Sequence, residues 1–261
     1  MFAGALRQSV NLVKSGLYGR AGEPYRIGGH VLRFTPDSRP VRLRYASSPN
    51  RVNRYDALQL KLLSEQMKPG DFALDAGAHV GSVSVVMAAC AGPSGRVVSF
   101  EPDPASRARL IRNLELNPHV KRPTLEPLAV SNVSGESVFF TRGGDPNASL
   151  TGTALGVEGV ESITVKTVSL DDYLAGEARA PDWVKIDIEG AEIRALMGAR
   201  RLLASPAKVL CELHPYAWDD FGTTFSELRE IVSASGRRMH YLDSDQDLTS
   251  DPIYGTVLIS A

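Results

Sequence analysis

The chain has 261 residues, 43% of them hydrophobic and 23% charged, which is the composition of an ordinary globular protein with a substantial core. Its 29 basic and 30 acidic residues leave a formal net charge of -1, so no global field steers it toward nucleic acid or anionic lipid, and a small-molecule or neutral substrate is favoured. No apolar run approaches the roughly 20 residues of a membrane span and residues 1–20 lack the apolar centre of a secretory signal, so the expected location is cytoplasmic.

Phe2, Leu6, Val10, Val13 and Leu17 recur at helical spacing with Arg7, Lys14 and Arg20 among them. This is a helix packed on its own domain, or else a membrane-surface or homodimerisation helix. Tyr25–Gly28, His30–Phe34 and Val41–Tyr45 alternate apolar and polar residues as half-exposed strands do. Residues 1–52 therefore read as an N-terminal helix/β appendage, and residues 53–261 as the main domain.

From Tyr55 to Met67 a leucine stripe predicts a helix ended by Pro69-Gly70. Strand and helix patterns then alternate: strand Phe72–Asp75, helix Gly81–Ala91, strand Arg96–Phe100, helix Pro104–Asn117, strand Thr124–Val130. After Ser137–Thr141 and Ile163–Val168 follow strand Trp183–Ile188, helix Ala191–Ala204, strand Lys208–Leu213, helix Phe225–Ser235, and strands Arg238–Leu242 and Tyr254–Ser260. Such alternation predicts an α/β, doubly wound, Rossmann-like sheet. Ser244–Pro252 leaves no room for a crossover helix, so the C-terminal strand pairs antiparallel. Cys90 and Cys211, each in an apolar run, read as small core residues in a reducing compartment. The Gly-, Ser- and Asn-rich segment Arg142–Glu161 is a candidate lid, with Asn147 and Ser149 as candidate substrate contacts.

The first strand of the main domain ends in Leu74-Asp75 and runs through Gly77, Ala78 and Gly81 into a helix. Glycines allow a tight turn close to a ligand, and the helix start offers free N–H groups. The next strand ends in Glu101-Pro102, placing a carboxylate where both ribose hydroxyls of a nucleoside cofactor would reach it. Ala129, at the end of the third strand, joins the cofactor contacts. Asp75 is either a helix cap or a partner of a methionine amino group. A nicotinamide-dependent oxidoreductase would use the same ribose carboxylate, but the pattern here is Asp-x-Gly-x-x-x-Gly, and the second half lacks another parallel mononucleotide unit.

A buried parallel strand reads as an apolar run, yet Trp183–Glu189 alternates Val184, Ile186 and Ile188 with Lys185, Asp187 and Glu189. At about 3.3 Å per residue, Asp187 and Glu189 start roughly 6.6 Å apart at the strand's carboxyl end, where open α/β sheets bind ligands. The bland alternative is an ion network with Glu192 at a helix start. Glu212-Leu-His214 ends the next strand in the same way.

With Asp75–Gly81, Phe100–Pro102, Asn113–Asn117, Ser169-Leu-Asp171, the run Val184–Glu192 and Glu212–His214, the sequence from about Asn53 to Asp245 resembles the FkbM-type methyltransferases. His79 departs from the asparagine usual there. The resemblance implies a class I methyltransferase sheet and transfer of a methyl group from S-adenosyl-L-methionine to a hydroxyl of a sugar, polyketide or related metabolite. Asp187 would then contact the cofactor. His214 is the expected general base, with Asp187 or Glu189 orienting it or taking the proton directly. A divalent metal on Asp187, Glu189 and His214 is weighed and not favoured. A cofactor-binding or interaction protein without catalysis is the remaining alternative.

Overall fold

The computed structural model describes residues 21–151 and 158–261. The helix expected in the first twenty positions and part of the candidate lid lie outside the described residues.

Glu23–Ile27 (β1) and His30–Phe34 (β2) form an antiparallel hairpin, turned at Gly28 and Gly29 with φ of 53° and 80°. Its inward residues Tyr25, Ile27, Leu32 and Phe34 join the same buried cluster as Val85, Val86 and Leu110 of the main domain. Two asparagines of the quoted motif clamp it there: Asn113 Oδ1 accepts from Thr35 N (3.0 Å) and Asn117 Oδ1 from Arg33 N (2.8 Å). The strand expected over Val41–Tyr45 is instead a 3-10 turn, Leu43–Ser47. Among the described residues no strand pairs with it, and its amides close locally, Tyr45 N on Arg42 O and Ser48 N on Tyr45 O.

The lead-in helix is Arg51–Gln66, starting earlier than expected because Asn50 caps it through Asn53 N. Then come β3 (Phe72–Ala76), helix Ser82–Ala91, β4 (Arg96–Phe100), helix Pro104–Glu115, β5 (Thr124–Glu126), β6 (Leu128–Val130), β7 (Gly135–Thr141) and β8 (Glu161–Val168). The second half holds β9 (Trp183–Ile186), helices Glu192–Met197 and Arg200–Leu203, β10 (Lys208–Leu213), helix Phe225–Ala234, β11 (Arg238–Tyr241) and β12 (Gly255–Ser260).

Seven strands form one sheet in the order β11-β12-β10-β9-β3-β4-β5, with β12 antiparallel to both neighbours and the other pairs parallel. This is the expected doubly wound, Rossmann-like sheet with its antiparallel C-terminal strand. One face buries Leu74, Phe100, Ile186 and Val209 under Ile193, Leu196, Leu202 and Leu228. The other buries Ala73, Val97, Trp183 and Leu210 under Leu60, Leu63, Val85 and Leu110. Cys90 and Cys211 are unpaired and buried, as expected.

Two expected elements divide. The run Thr124–Val130 breaks at Pro127, which has no N–H for a ladder; β5 stays in the main sheet and β6 moves to a three-stranded sheet with β8 and β7. The helix expected over Ala191–Ala204 breaks at Gly198, where an added Cβ would lie 2.8 Å from Ser131 O. Among the described residues no helix is long and apolar enough to cross a membrane.

Candidate active site

Chain order reverses direction between β3 and β9, and the cleft of an open α/β sheet forms at the carboxyl ends of such a pair. The turn after β3 is tied to β4, since Gly77 N and Ala78 N both donate to Phe100 O (3.1 and 2.9 Å). Gly77 has φ 78° and would place a Cβ 1.8 Å from Asp187 O, so this glycine lets the turn lie on the chain that follows β9. His79 follows with φ 48°.

Glu101 is 6% exposed; its Oε2 accepts from His79 N (2.6 Å) and its Oε1 from Asp103 N (2.8 Å). Burial pushes its carboxyl up to about 7. The carboxylate keeps lone pairs for further donors, as about four are available and two are in use. Burial also lowers the His79 imidazole, against the opposing pull of the Gly144 carbonyl.

The cleft encloses about 110 Å³ and opens at its mouth to solvent. Its lining combines the apolar Leu128, Ala129, Val130, Phe139, Ala148 and Leu150 with Gly77, His79, Glu101 and Pro102 and with Asp187, Ile188 and Glu189. An apolar slot beside a buried carboxylate with spare lone pairs fits a nucleoside: base between the apolar walls, ribose hydroxyls on Glu101.

The structure thus brings Gly77, Glu101, Pro102, Ala129, Asp187 and Glu189 together at one cleft. Asp75, Ala78 and Gly81 do not line it. Ala78 and Gly81 build the turn, and Asp75 is fully sealed, accepting from Ser84 Oγ (2.5 Å) and lying 3.3 Å from the Lys185 ammonium. Asn147 donates through its N and Nδ2 to Asp145 Oδ1, and Ser149 bridges to Phe140; their neighbours Asp145, Pro146, Ala148 and Leu150 face the cleft instead.

The charged run Lys185–Glu192 forms an ion network, the bland alternative for it, and also reaches the cleft. Lys185 Nζ donates to Gly77 O (2.8 Å) and sits 3.2 Å from Asp187 Oδ2. Burial alone would depress this ammonium, but Asp187, Asp75 and Glu212 hold it above the ordinary lysine value. Burial alone would raise Asp187, whose side chain is 27% exposed; Lys185 and then His214 override it and hold that carboxyl low. Glu189 has φ 52° and Gly190 φ 104°, so the chain turns sharply and points Glu189 at the cleft. Burial pushes Glu189 up to about 7, while its Oε2 accepts from Tyr216 OH (2.9 Å).

Behind this turn His214 is 2% exposed and wedged among carboxylates. Its Nδ1 donates to Glu192 Oε1 (2.8 Å), and its Nε2 lies 3.6 Å from Glu189, 3.8 Å from Glu212 and 3.9 Å from Asp187. Burial favours the neutral ring, yet Glu192, Glu189 and Asp187 outweigh it and raise His214 to about 10. Those carboxylates favour the protonated ring, which has no lone pair to offer a substrate proton. Glu192 is anchored on the other side by Gly190 N (2.7 Å) and Trp218 Nε1 (3.0 Å), which explains its place in the motif. Burial and then Asp187 push Glu212 up to about 8, with Tyr254 OH donating to it. Burial and Asp187 also push Asp56, from the lead-in helix, up to about 7.

Asp56, Phe139, Asp145, Tyr216 and Tyr254 were not singled out from the sequence. Tyr216 sits beside His214 in the chain and was within reach of that reasoning; the others arrive from distant elements.

Residues 75–240 match the methyltransferase FkbM domain family. A hexuronic acid methyltransferase, AglP, of Haloferax volcanii is 30% identical over 191 residues, covering 72% of each chain. The crystal structure of methyltransferase FkbM from Methylobacillus flagellatus KT aligns over 81% of this chain with 17% identity and a TM-score of 0.49; the chain spans 53% of that protein's length. With the family match over residues 75–240 and a relative 30% identical over 72% of the chain, the chain belongs to the FkbM methyltransferase family, as an S-adenosylmethionine-dependent methyltransferase.

Proposed function

We propose that this enzyme methylates a hydroxyl oxygen of a sugar acid, free or within a glycan, with Glu189 taking the hydroxyl proton. The acceptor class is supported by the name of the Haloferax relative. The observation that carries the chemistry is the setting of Glu189: held in a left-handed turn at the cleft, bonded by Tyr216, and raised to about 7.

Bound S-adenosylmethionine supplies a methyl group made electrophilic by its sulfonium. Glu101 would hold the ribose, the wall from Leu128 to Leu150 the base, and the ionised Asp187 the methionine ammonium. Alignment of acceptor oxygen and methyl carbon contributes most to such a displacement. Glu189 accepts the proton best when its pKa lies near the working pH. His214, protonated and fixed by Glu192, keeps Glu189 and Asp187 in place. Tyr216, 56% exposed and beside His214, presents a ring face and a hydroxyl to an incoming sugar. The unpaired, buried Cys90 and Cys211 suit a reducing, cytoplasmic setting.

The experiment is product analysis: a methyl ether formed on an acceptor hydroxyl withstands mild alkali. Release of the label by alkali would instead mean transfer to the acceptor's carboxylate, which needs no base. A second reading has its own observation, since ligand atoms of Asp187, Glu212 and His214 lie within 4.8 Å of one another. A divalent ion there would hold the acceptor oxygen in place of the proton arrangement; full activity after thorough chelation excludes it.

A further inference from the structure

The turn that carries Glu101's partner also reaches the opposite wall of the cleft. His79 donates its backbone N–H to Glu101 Oε2, and its Nε2 lies 3.2 Å from Gly144 O. With the proton on Nε2, this nitrogen donates to that carbonyl. Arg109, on the helix Pro104–Glu115, reaches the same place, with Nη1 3.3 Å from Gly144 O and Nη2 3.0 Å from Gly143 O. Immediately downstream, Asp145, Pro146, Ala148 and Leu150 form one wall of the cleft. Arg142 pairs with Asp145 (2.6 Å) and the Phe140–Ser149 bridge ties the stretch to β7, while His79 and Arg109 hold it at Gly143 and Gly144.

We infer that His79 and Arg109 are positioning residues that latch the stretch Gly143–Leu150 over bound S-adenosylmethionine, so that product leaves only when the Gly143 and Gly144 carbonyls part from them. His79 then links the carboxylate on the ribose to the wall on the base. The inference rests on the cofactor reading of the cleft. Lid opening and product release commonly set turnover in such enzymes.

The test is stopped-flow displacement of S-adenosylhomocysteine from the full chain, with steady-state kinetics alongside. His79→Asn keeps a residue that tolerates φ near 48° and keeps the backbone N–H on Glu101, but is too short for Gly144. Arg109→Gln removes the other arm from a separate element. Each variant should release S-adenosylhomocysteine about three- to tenfold faster, as the loss of one or two hydrogen bonds implies, and raise KM for S-adenosylmethionine while kcat does not fall. His79→Gln, longer than asparagine, should recover part of the retention. Release within about twofold of wild type in both variants overturns the latch, as does an effect confined to position 79, which would mark a role in the turn alone. Failure of the wild-type protein to bind S-adenosylhomocysteine overturns the cofactor reading and the latch together.

Discussion

Replacing Glu189 by Gln changes one property of the site and leaves its shape. Glutamine tolerates the left-handed backbone at φ 52° as well as glutamate does, and its amide oxygen can still accept from Tyr216 OH. What goes is the basic oxygen pair raised to about 7. A positioned general base contributes about 10²–10⁴-fold, so kcat should fall at least about a hundredfold, equivalent to roughly 2.7 kcal/mol of transition-state stabilisation. Binding of S-adenosylhomocysteine should change by less than about threefold, because Glu101 and the apolar wall are untouched. The pH profile should change with it. Wild-type kcat should rise through about 7 as Glu189 ionises, and the variant should lose that limb. One of the carboxylates that raise His214 is also gone, so any alkaline limb moves down from about 10. The assay is initial-rate transfer of labelled methyl at saturating cofactor on both sides of neutrality, with a thermal melt to confirm folding. A kcat within about threefold of wild type and an unmoved acid limb would refute Glu189 as the base.

Four further outcomes are expected. Wild-type kcat should be bell-shaped, rising through about 7 and falling through about 10 as His214 gives up its proton; a plateau that continues undiminished well above pH about 10 removes His214 from its charged role. His214 is raised above its unfolded value of 6.5, so its contribution to stability is fully present below about 6.5 and lost as pH climbs toward about 10; melting temperatures measured across that window should decline. Glu101→Gln turns an amide group against one of two backbone N–H donors and removes a charge-assisted acceptor, so calorimetric Kd for S-adenosylhomocysteine should weaken about ten- to a hundredfold, and an unchanged Kd would place the ribose elsewhere. Gly77→Ala forces a Cβ to within 1.8 Å of Asp187 O at φ 78°; the cost should exceed about 3 kcal/mol and lower Tm by roughly 6–12 °C, whereas an unshifted melt would contradict the packing of the turn.

The sheet was legible because strand and helix patterns alternate around β3, β4, β9 and β10, and because Ser244–Pro252 is too short and polar for a crossover. Breaks inside elements were less legible. Pro127 divides a run that otherwise alternates well, and Gly198 breaks a helix through its approach to Ser131. Glu101 and Asp187 could be placed from strand ends alone, since a parallel strand delivers its last residues to the cleft. Asp75 obeys the same rule yet lies one layer too deep, under the turn it precedes, where Lys185 and Ser84 close over it. His214 was found by position, but its protonation depends on Glu192, Glu189 and Asp187 converging from another segment, which no single stretch of sequence encodes. The same holds for the His79–Gly144 contact, 65 residues apart in the chain.

Transfer of labelled methyl from S-adenosylmethionine to a hexuronic-acid-bearing glycan tests the proposed activity most directly. The expected result is an alkali-stable label on a hydroxyl of the acceptor, with turnover lost in Glu189→Gln but not cofactor binding. Cofactor binding without transfer to any uronic acid acceptor, alongside transfer to an unrelated class of acceptor, would contradict it.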